Sequence, residues 1–209
     1  MNNKKKKSSS KIWLKRHFKD FYVREVHKNK IRSRAWFKLD QIHNKFNIFK
    51  NNNIIVDIGC SPGSWSEYAL KKIGSQGKII ACDISFMKPI FGVIFIQGDI
   101  QDICTYSLIL QKLKNKKADI CMSDISPNIS GHAVIDIHKS ISLSTAALNL
   151  SIKILSKNGV FITKIFQGEN FNMYYQLIKK KFSQVKIYKP HASRFKSREI
   201  FIIAKNIKE

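Results

Sequence analysis

Acidic residues are scarce in this sequence: 14 Asp and Glu stand against 38 Lys and Arg over 209 residues, a formal net charge of +24. That imbalance points to a polyanionic partner, nucleic acid ahead of membrane. Only 6 of the 38 are Arg. The abundance of Lys, Asn, Ile and Phe matches AT-rich codon usage, which raises charge without a functional demand. The segment ahead of the core still carries so few acids that a polyanion is favoured. Cysteine is also sparse. Cys60, Cys82, Cys104 and Cys121 contain no C-x-x-C pair, which argues against a metal site, and they read as buried free thiols. No stretch approaches the ~18 apolar residues of a spanning helix. Residues 1–10 have charge but no apolar h-region to direct secretion, so a cytoplasmic location without disulfides is expected. Two phosphate-binding fingerprints are missing too: there is no Gly-x-Gly-x-x-Gly and no Gly-Lys-Ser/Thr.

What is present is organised around residues 57–65, DIGCSPGSW, fed by the apolar run Ile54, Ile55, Val56 and followed by a helical pattern. This reads as strand, tight turn and helix start. Gly59 and Gly63 leave backbone open where the chain reverses, and the helix begins with free N–H groups. A nucleoside without phosphates fits such a turn, and S-adenosylmethionine is the common one. Asp83 ends a second strand (78–84), 24 residues beyond Gly59, where a Rossmann-like fold binds a ribose diol. Asp99 ends a third (93–100), where a carboxylate can accept from an adenine amino group. Turn-capping is the competing reading of each acid alone.

Further strands are expected at 118–125, 159–166, 185–188 and 200–204, and helices at 13–30, 33–46, 65–73, 138–155 and 171–182. Ser33 is the expected cap of its helix. Lys164 interrupts an apolar strand, which costs free energy unless it is paired or reaches a cleft. Strands alternating with helices and closing on a hairpin give an α/β, Rossmann-like, class I methyltransferase fold: a mostly parallel seven-stranded sheet with helices on both faces. Residues 1–10 read as a disordered basic tail, and 11–209 as one domain, with N-terminal basic and aromatic helices to residue 50. Basic residues beside Trp13, Phe18, Phe21 and Tyr22 suit RNA, an amphipathic helix with a solvated face being the alternative. Arg24, Lys28, Lys30, Arg32 and Arg34, with Arg194, Lys196 and Arg198 on the loop before the last strand, are expected to meet phosphates.

The stretches SRAWFKLDQI (33–42), DIGCSPGSWSEY (57–68), IIACDI (79–84), QGDI (97–100), MSDISPNISG (122–131), TKIFQGE (163–169) and KPHASRFKSRE (189–199) resemble the FtsJ/RrmJ family of ribosomal RNA 2′-O-methyltransferases. The similarity covers nearly everything after the lysine tail. It is greatest to bacterial members that methylate a uridine ribose in the A loop of large-subunit rRNA. The resemblance implies a catalytic Lys-Asp-Lys-Glu set at Lys38, Asp124, Lys164 and Glu199, and contacts to S-adenosylmethionine from Gly63, Trp65, Asp83, Asp99 and Asp124. It implies large-subunit rRNA within the ribosomal subunit as partner; a monomer without a metal is the expectation for the chain. Ser64 stands where a second Gly is usual and Ser126 where Ala is usual.

The chemistry agrees with that mapping. A ribose hydroxyl is a weak acid, so a site that methylates it must orient it, take its proton and exclude water. Lys164 could act as a neutral base or as a charged group that positions an oxygen lone pair. A base or small-molecule methyltransferase is opposed by the charge and by Ser-Pro-Asn at 126–128, where an Asn-Pro-Pro-Tyr-type loop would serve a flipped base. The alternative from another class is a non-catalytic rRNA-binding assembly factor that retains the fold.

Overall fold

A computed structural model describes residues 21–127, 131–168, 170–194 and 197–208. The basic tail, Trp13, Lys15, Arg16, Phe18, Lys19, Asn128 and Lys196 lie outside these. The elements run α1 (Phe21–Lys28), α2 (Ala35–Phe46), β1 (Ile54–Ile58), α3 (Ser64–Ile73), β2 (Lys78–Asp83), β3 (Val93–Gln97), α4 (Ile103–Leu113), β4 (Ala118–Ser123), α5 (Ala133–Ile154), β5 (Leu155–Phe166), α6 (Phe171–Lys181), β6 (Phe182–Tyr188) and β7 (Glu199–Ile207). Seven strands form one sheet in the order β3-β2-β1-β4-β5-β7-β6. Strands β1 to β5 are parallel, and β7 is antiparallel to both β5 and β6.

Both faces of the sheet are covered away from the edge strand β6, which is mostly exposed, and this is why the other strands read as near-continuous apolar runs. The period of two divides them. Val56, Ile58, Ile80, Cys82, Cys121, Phe161, Ile165, Ile200 and Ile202 pack on one side against α4, α5 and α6. Ile55, Ile79, Ile120, Met122, Ile162, Phe201 and Ile203 pack on the other against Leu39 and Ile42 of α2 and Trp65, Tyr68 and Ile73 of α3. Asp57, Asp124, Lys164 and Glu199 each lie two residues from a member of this second set. Alternation therefore aims Asp57, Lys164 and Glu199 at the face that α2 and α3 cover, and Asp124, one residue past β4, meets Lys164 there.

Several boundaries differ from those expected. β3 stops at Gln97 and β4 at Ser123, so Asp99 and Asp124 sit just past the strand ends. Helix α5 begins five residues before His138. Helix α4 has no counterpart in the sequence reading, because exposed Ile103, Leu108 and Leu110 blur its stripe, although Thr105, Ile109 and Leu113 are buried at helical spacing. Arg34 occupies the N-cap position of α2, yet Ser33 Oγ accepts the N–H of Ala35 at 3.2 Å and lies 2.7 Å from Ser64 Oγ. Cys60, Cys82 and Cys121 are buried, whereas Cys104 is exposed on α4, correcting the expectation for that thiol. Burial pushes the Cys82 thiol up to about 12, which keeps it unreactive at neutral pH. No helix among the described residues is long and apolar enough to cross a membrane.

Candidate active site

The turn after β1 requires its glycines. Gly59 has φ +71°, and a Cβ there would lie 2.6 Å from the Cα of Ile125. The turn therefore presses on the chain leaving β4, and only glycine permits both the conformation and the approach. Gly63, with φ +104°, is the N-cap of α3.

A cavity of about 510 Å³ opens beyond the carboxyl ends of β1, β2 and β4, lined by Gly59, Ser61, Asp83, Asp99, Gln101 and Asp124 among others. In a parallel sheet this edge is where ligands bind. Its carboxylates are held in place: Asp83 accepts the backbone N–H of Ser61 on Oδ2 and of Ser85 on Oδ1, both at 2.8 Å. Asp99 Oδ1 accepts the N–H of Gln101 at 2.9 Å. Each carboxylate retains further lone pairs for hydroxyl or amino donors. The structure thus brings Asp83, Asp99 and Asp124 to one cavity. Gly63 and Trp65 are not on its lining. The Trp65 indole is buried and donates from Nε1 to the carbonyl of Ala35 at 2.9 Å, which braces α3 against α2, while its N–H lies in the helix's first turn.

Beside the cavity lie two lysine–carboxylate pairs. Lys164 donates to the backbone carbonyl of Asp124 at 2.7 Å, and its ammonium is 3.1 Å from Oδ1 of the same residue, an ion pair outside hydrogen-bond geometry. Lys38 reaches both carboxylate oxygens of Glu199 at 2.9 Å. The β5–β7 register sets Lys164 opposite Phe201 and Phe166 opposite Glu199, so Glu199 lies diagonally from Lys164 on the same face. The Lys38 ammonium is 5.7 Å from the centre of the Phe201 ring. Lys38 is 9% exposed, Lys164 6% and Glu199 8%. A sheet face needing only stability would carry apolar side chains here, since desolvating two ion pairs offsets most of their attraction. This arrangement, joined to the cavity through Asp124, makes the candidate reaction site.

Asp57 is a residue the sequence reading did not single out. It is 1% exposed. Its Oδ2 accepts from Ser66 Oγ at 2.6 Å, and Oδ1 has no partner among the described residues. Burial is the main cause that pushes its carboxyl up to about 7; the Ser66 hydrogen bond opposes this, and the charges of Asp124 and Asp83 add to it. An acid inside the apolar run IIVDI was the signal that could have found it.

The arginines divide. Arg32 donates to the carbonyls of Pro62, Lys88 and Pro89 at 2.9, 2.7 and 3.0 Å, clamping the turn before α3 to the segment after β2. Arg34 donates to the carbonyl of Ala192 at 2.7 Å and stacks over Tyr22, 5.7 Å from the ring centre, tying α1 and α2 to the β6–β7 loop. Arg194 and Arg198 are exposed on that loop.

A family model described as FtsJ-like methyltransferase matches residues 31–207. A curated protein from Buchnera aphidicola subsp. Baizongia pistaciae (strain Bp), named ribosomal RNA large subunit methyltransferase E, is 50% identical over 204 residues, 97% of each chain. A solved structure from Plasmodium falciparum, described as a candidate ribosomal RNA methyltransferase, is 34% identical with a TM-score of 0.75, covering 84% of this chain and 98% of that one. Another, from Clostridium thermocellum, described as a candidate rRNA methylase, has a TM-score of 0.55 at 17% identity over 81% of this chain and 97% of that one, a likeness of fold alone.

Proposed function

Because this chain belongs to the FtsJ-like methyltransferase family, we propose that it transfers a methyl group from S-adenosylmethionine to the 2′ oxygen of a uridine ribose in the A-loop region of large-subunit ribosomal RNA. The observation that carries this reading is the position of Asp124, which lines the cavity and also holds Lys164. A cofactor site and a polar reaction site thus meet at one residue. The name of the 50% identical relative supports large-subunit rRNA as substrate, and the net charge of +24 supports a polyanion.

The cavity fits S-adenosylmethionine chemically: Asp83 offers pre-oriented acceptors for a ribose diol, and Asp99 one for an adenine amino group. When bound, the cofactor supplies a methyl on a sulfonium that departs as a neutral thioether. What remains for the protein is the acceptor hydroxyl. Lys164, fixed by two oxygens of Asp124, orients that hydroxyl: as an ammonium it steers the oxygen lone pair, and only as a neutral amine, having first given up a proton, can it receive the hydroxyl's. Glu199, diagonally beside Lys164 on the same sheet face, and its partner Lys38 position the ribose. Arg194 and Arg198 meet phosphates, while Arg32 and Arg34 act as braces.

Two outcomes are expected. Asp83→Ala removes charge-assisted hydrogen bonds worth roughly 1.5–3 kcal/mol and weakens cofactor binding about tenfold or more; calorimetry showing full affinity in a folded variant would count against the cradle. The product should resist alkali. Labelled S-adenosylmethionine is supplied to large subunits and to free rRNA from a strain lacking the gene, and the RNA is then hydrolysed. A methylated 2′ oxygen cannot attack the next phosphate, so the label stays in a dinucleotide. Label on a base would refute the oxygen acceptor, and no label on either RNA would favour the non-catalytic assembly factor.

A further inference from the structure

Strand β2 begins at Lys78 and ends at Asp83, so its two ends mark opposite edges of the sheet, separated by roughly 17 Å at about 3.3 Å per residue. The Asp83 edge holds the cavity. The other edge is formed by three segments that lead into β1, β2 and β4: residues 50–53 (KNNN), 74–78 (GSQGK) and 112–117 (KLKNKK). None contains an acid or an aromatic ring, and Lys50, Lys112, Lys114, Lys116 and Lys117 are exposed. Lys78 Nζ donates to the carbonyl of Lys112, which fastens the second segment to the third. Lys117 Nζ donates to the carbonyl of Lys153 at 2.7 Å. Among the described residues no carboxylate lies within 4.0 Å of these six lysines. Asp119, the acid next to them, accepts the N–H of Ile54 at 2.8 Å. Partial burial and then the charges of Lys114, Lys116 and Lys112 hold the Lys78 amine below its usual range. Like charges are crowded here with no ion-paired carboxylate among the described residues, and an anion would relieve them.

Codon bias scatters lysines; it does not gather them from three loops onto one edge. The chemistry of the edge narrows the partner. There is no Trp, Phe or Tyr in these loops to enter a lipid interface or to stack on unpaired bases. Exposed ammonium groups with Asn, Ser and Gln between them suit phosphates and 2′-hydroxyls on the surface of an RNA helix.

We propose that this lysine edge binds the phosphate backbone of helical RNA, away from the methylated ribose, so that the substrate is a large folded RNA gripped at both ends of the sheet. This deepens the rRNA reading above and rests on it. The cavity and the lysines lie at opposite ends of the strands, so a stem running straight out of the active site leads away from this edge, and the edge meets a different helix of the same RNA.

The test replaces Lys112, Lys114, Lys116 and Lys117 together with Gln in the full chain. Binding is measured over a salt series to large ribosomal subunits from a strain lacking the gene, to a stem-loop of the A-loop sequence, and to phosphatidylserine vesicles. Affinity for subunits should fall at least tenfold near 0.1 M salt. The log–log salt slope should become shallower by roughly 2–3.5, at about 0.9 per phosphate released for two to four contacts. Stem-loop affinity, single-turnover methylation of the stem-loop and the melting temperature should match the parent chain. Unchanged affinity and slope on subunits would overturn the proposal, and so would a loss confined to vesicles, which would assign the edge to lipid. Methylation by the parent chain is the control for the rRNA reading itself. If it labels no RNA, that reading fails, while the subunit-binding comparison still decides the lysine edge.

Discussion

Lys164→Ala should lower single-turnover methyl transfer by about 10² to 10⁴, the range by which a general base or its equivalent accelerates proton transfer. The loss is expected in the chemical step, with cofactor affinity mostly retained, because Asp83 and Asp99, unlike Asp124, are held by backbone N–H groups that do not involve Lys164. Stability should fall only modestly. The variant leaves the Asp124 carbonyl without its donor and the carboxylate without its cation, which costs about 1–3 kcal/mol when such groups stay dry. The Asp124 side chain keeps 16% of its exposure at the cavity, so water can replace the amine. Lys164→Arg separates the two roles of the amine: a guanidinium retains charge and donors but cannot take a proton, so a true base loses nearly all activity and an orienting cation keeps part of it. Single-turnover rates of Lys164→Ala close to those of the parent chain would remove the residue from the chemistry, and the Lys38–Glu199 and Lys164–Asp124 pairs would be scaffold.

The second large effect is on stability, at Asp57. Its carboxyl is raised from an ordinary value of 3.8 to about 7, so between those limits the folded chain keeps a proton that the unfolded chain has released. The unfolded state binds fewer protons there, and stability therefore falls as pH rises through this window and is level on either side. At about 1.4 kcal/mol per factor of ten, the full loss is roughly 4 kcal/mol. Asp57→Asn cannot ionise and still offers an oxygen to Ser66. It should flatten this descent and unfold at higher denaturant concentration than the parent chain at pH 8, with little difference near pH 4. Urea titrations at several pH values check it, and parallel pH profiles for the two chains would show that Asp57 is not the group responsible.

These effects mark where reading residues in order succeeds and where it stops. The parallel strands and β7 were legible as apolar runs because their side chains are mostly covered on both sheet faces, and the closing antiparallel pair was legible from two short runs after the last helix, although the edge strand β6 is mostly exposed. The acids at 83, 99 and 124 could be named from their place after such runs. Helix α4 was not legible, since a surface helix carrying exposed Ile103, Leu108 and Leu110 loses the contrast that periodicity needs. Arg32 and Arg34 looked like free cations, and only the fold revealed that backbone carbonyls of distant segments occupy them.

By itself the sequence determined the strand–turn–helix at 57–65, the lysine inside the fifth strand and the excess of positive charge, because each is a local conflict with the bland pattern around it. The tertiary structure alone decided which lysine pairs with which carboxylate. Lys38 and Glu199 are 161 residues apart and meet only because α2 lies over the face to which β7 turns its odd-numbered side chains. It also decided that Asp57 is dry enough to keep a proton near neutrality and that lysines from three separate loops share one edge. Burial and distance through space depend on how every element packs, and a linear pattern holds neither.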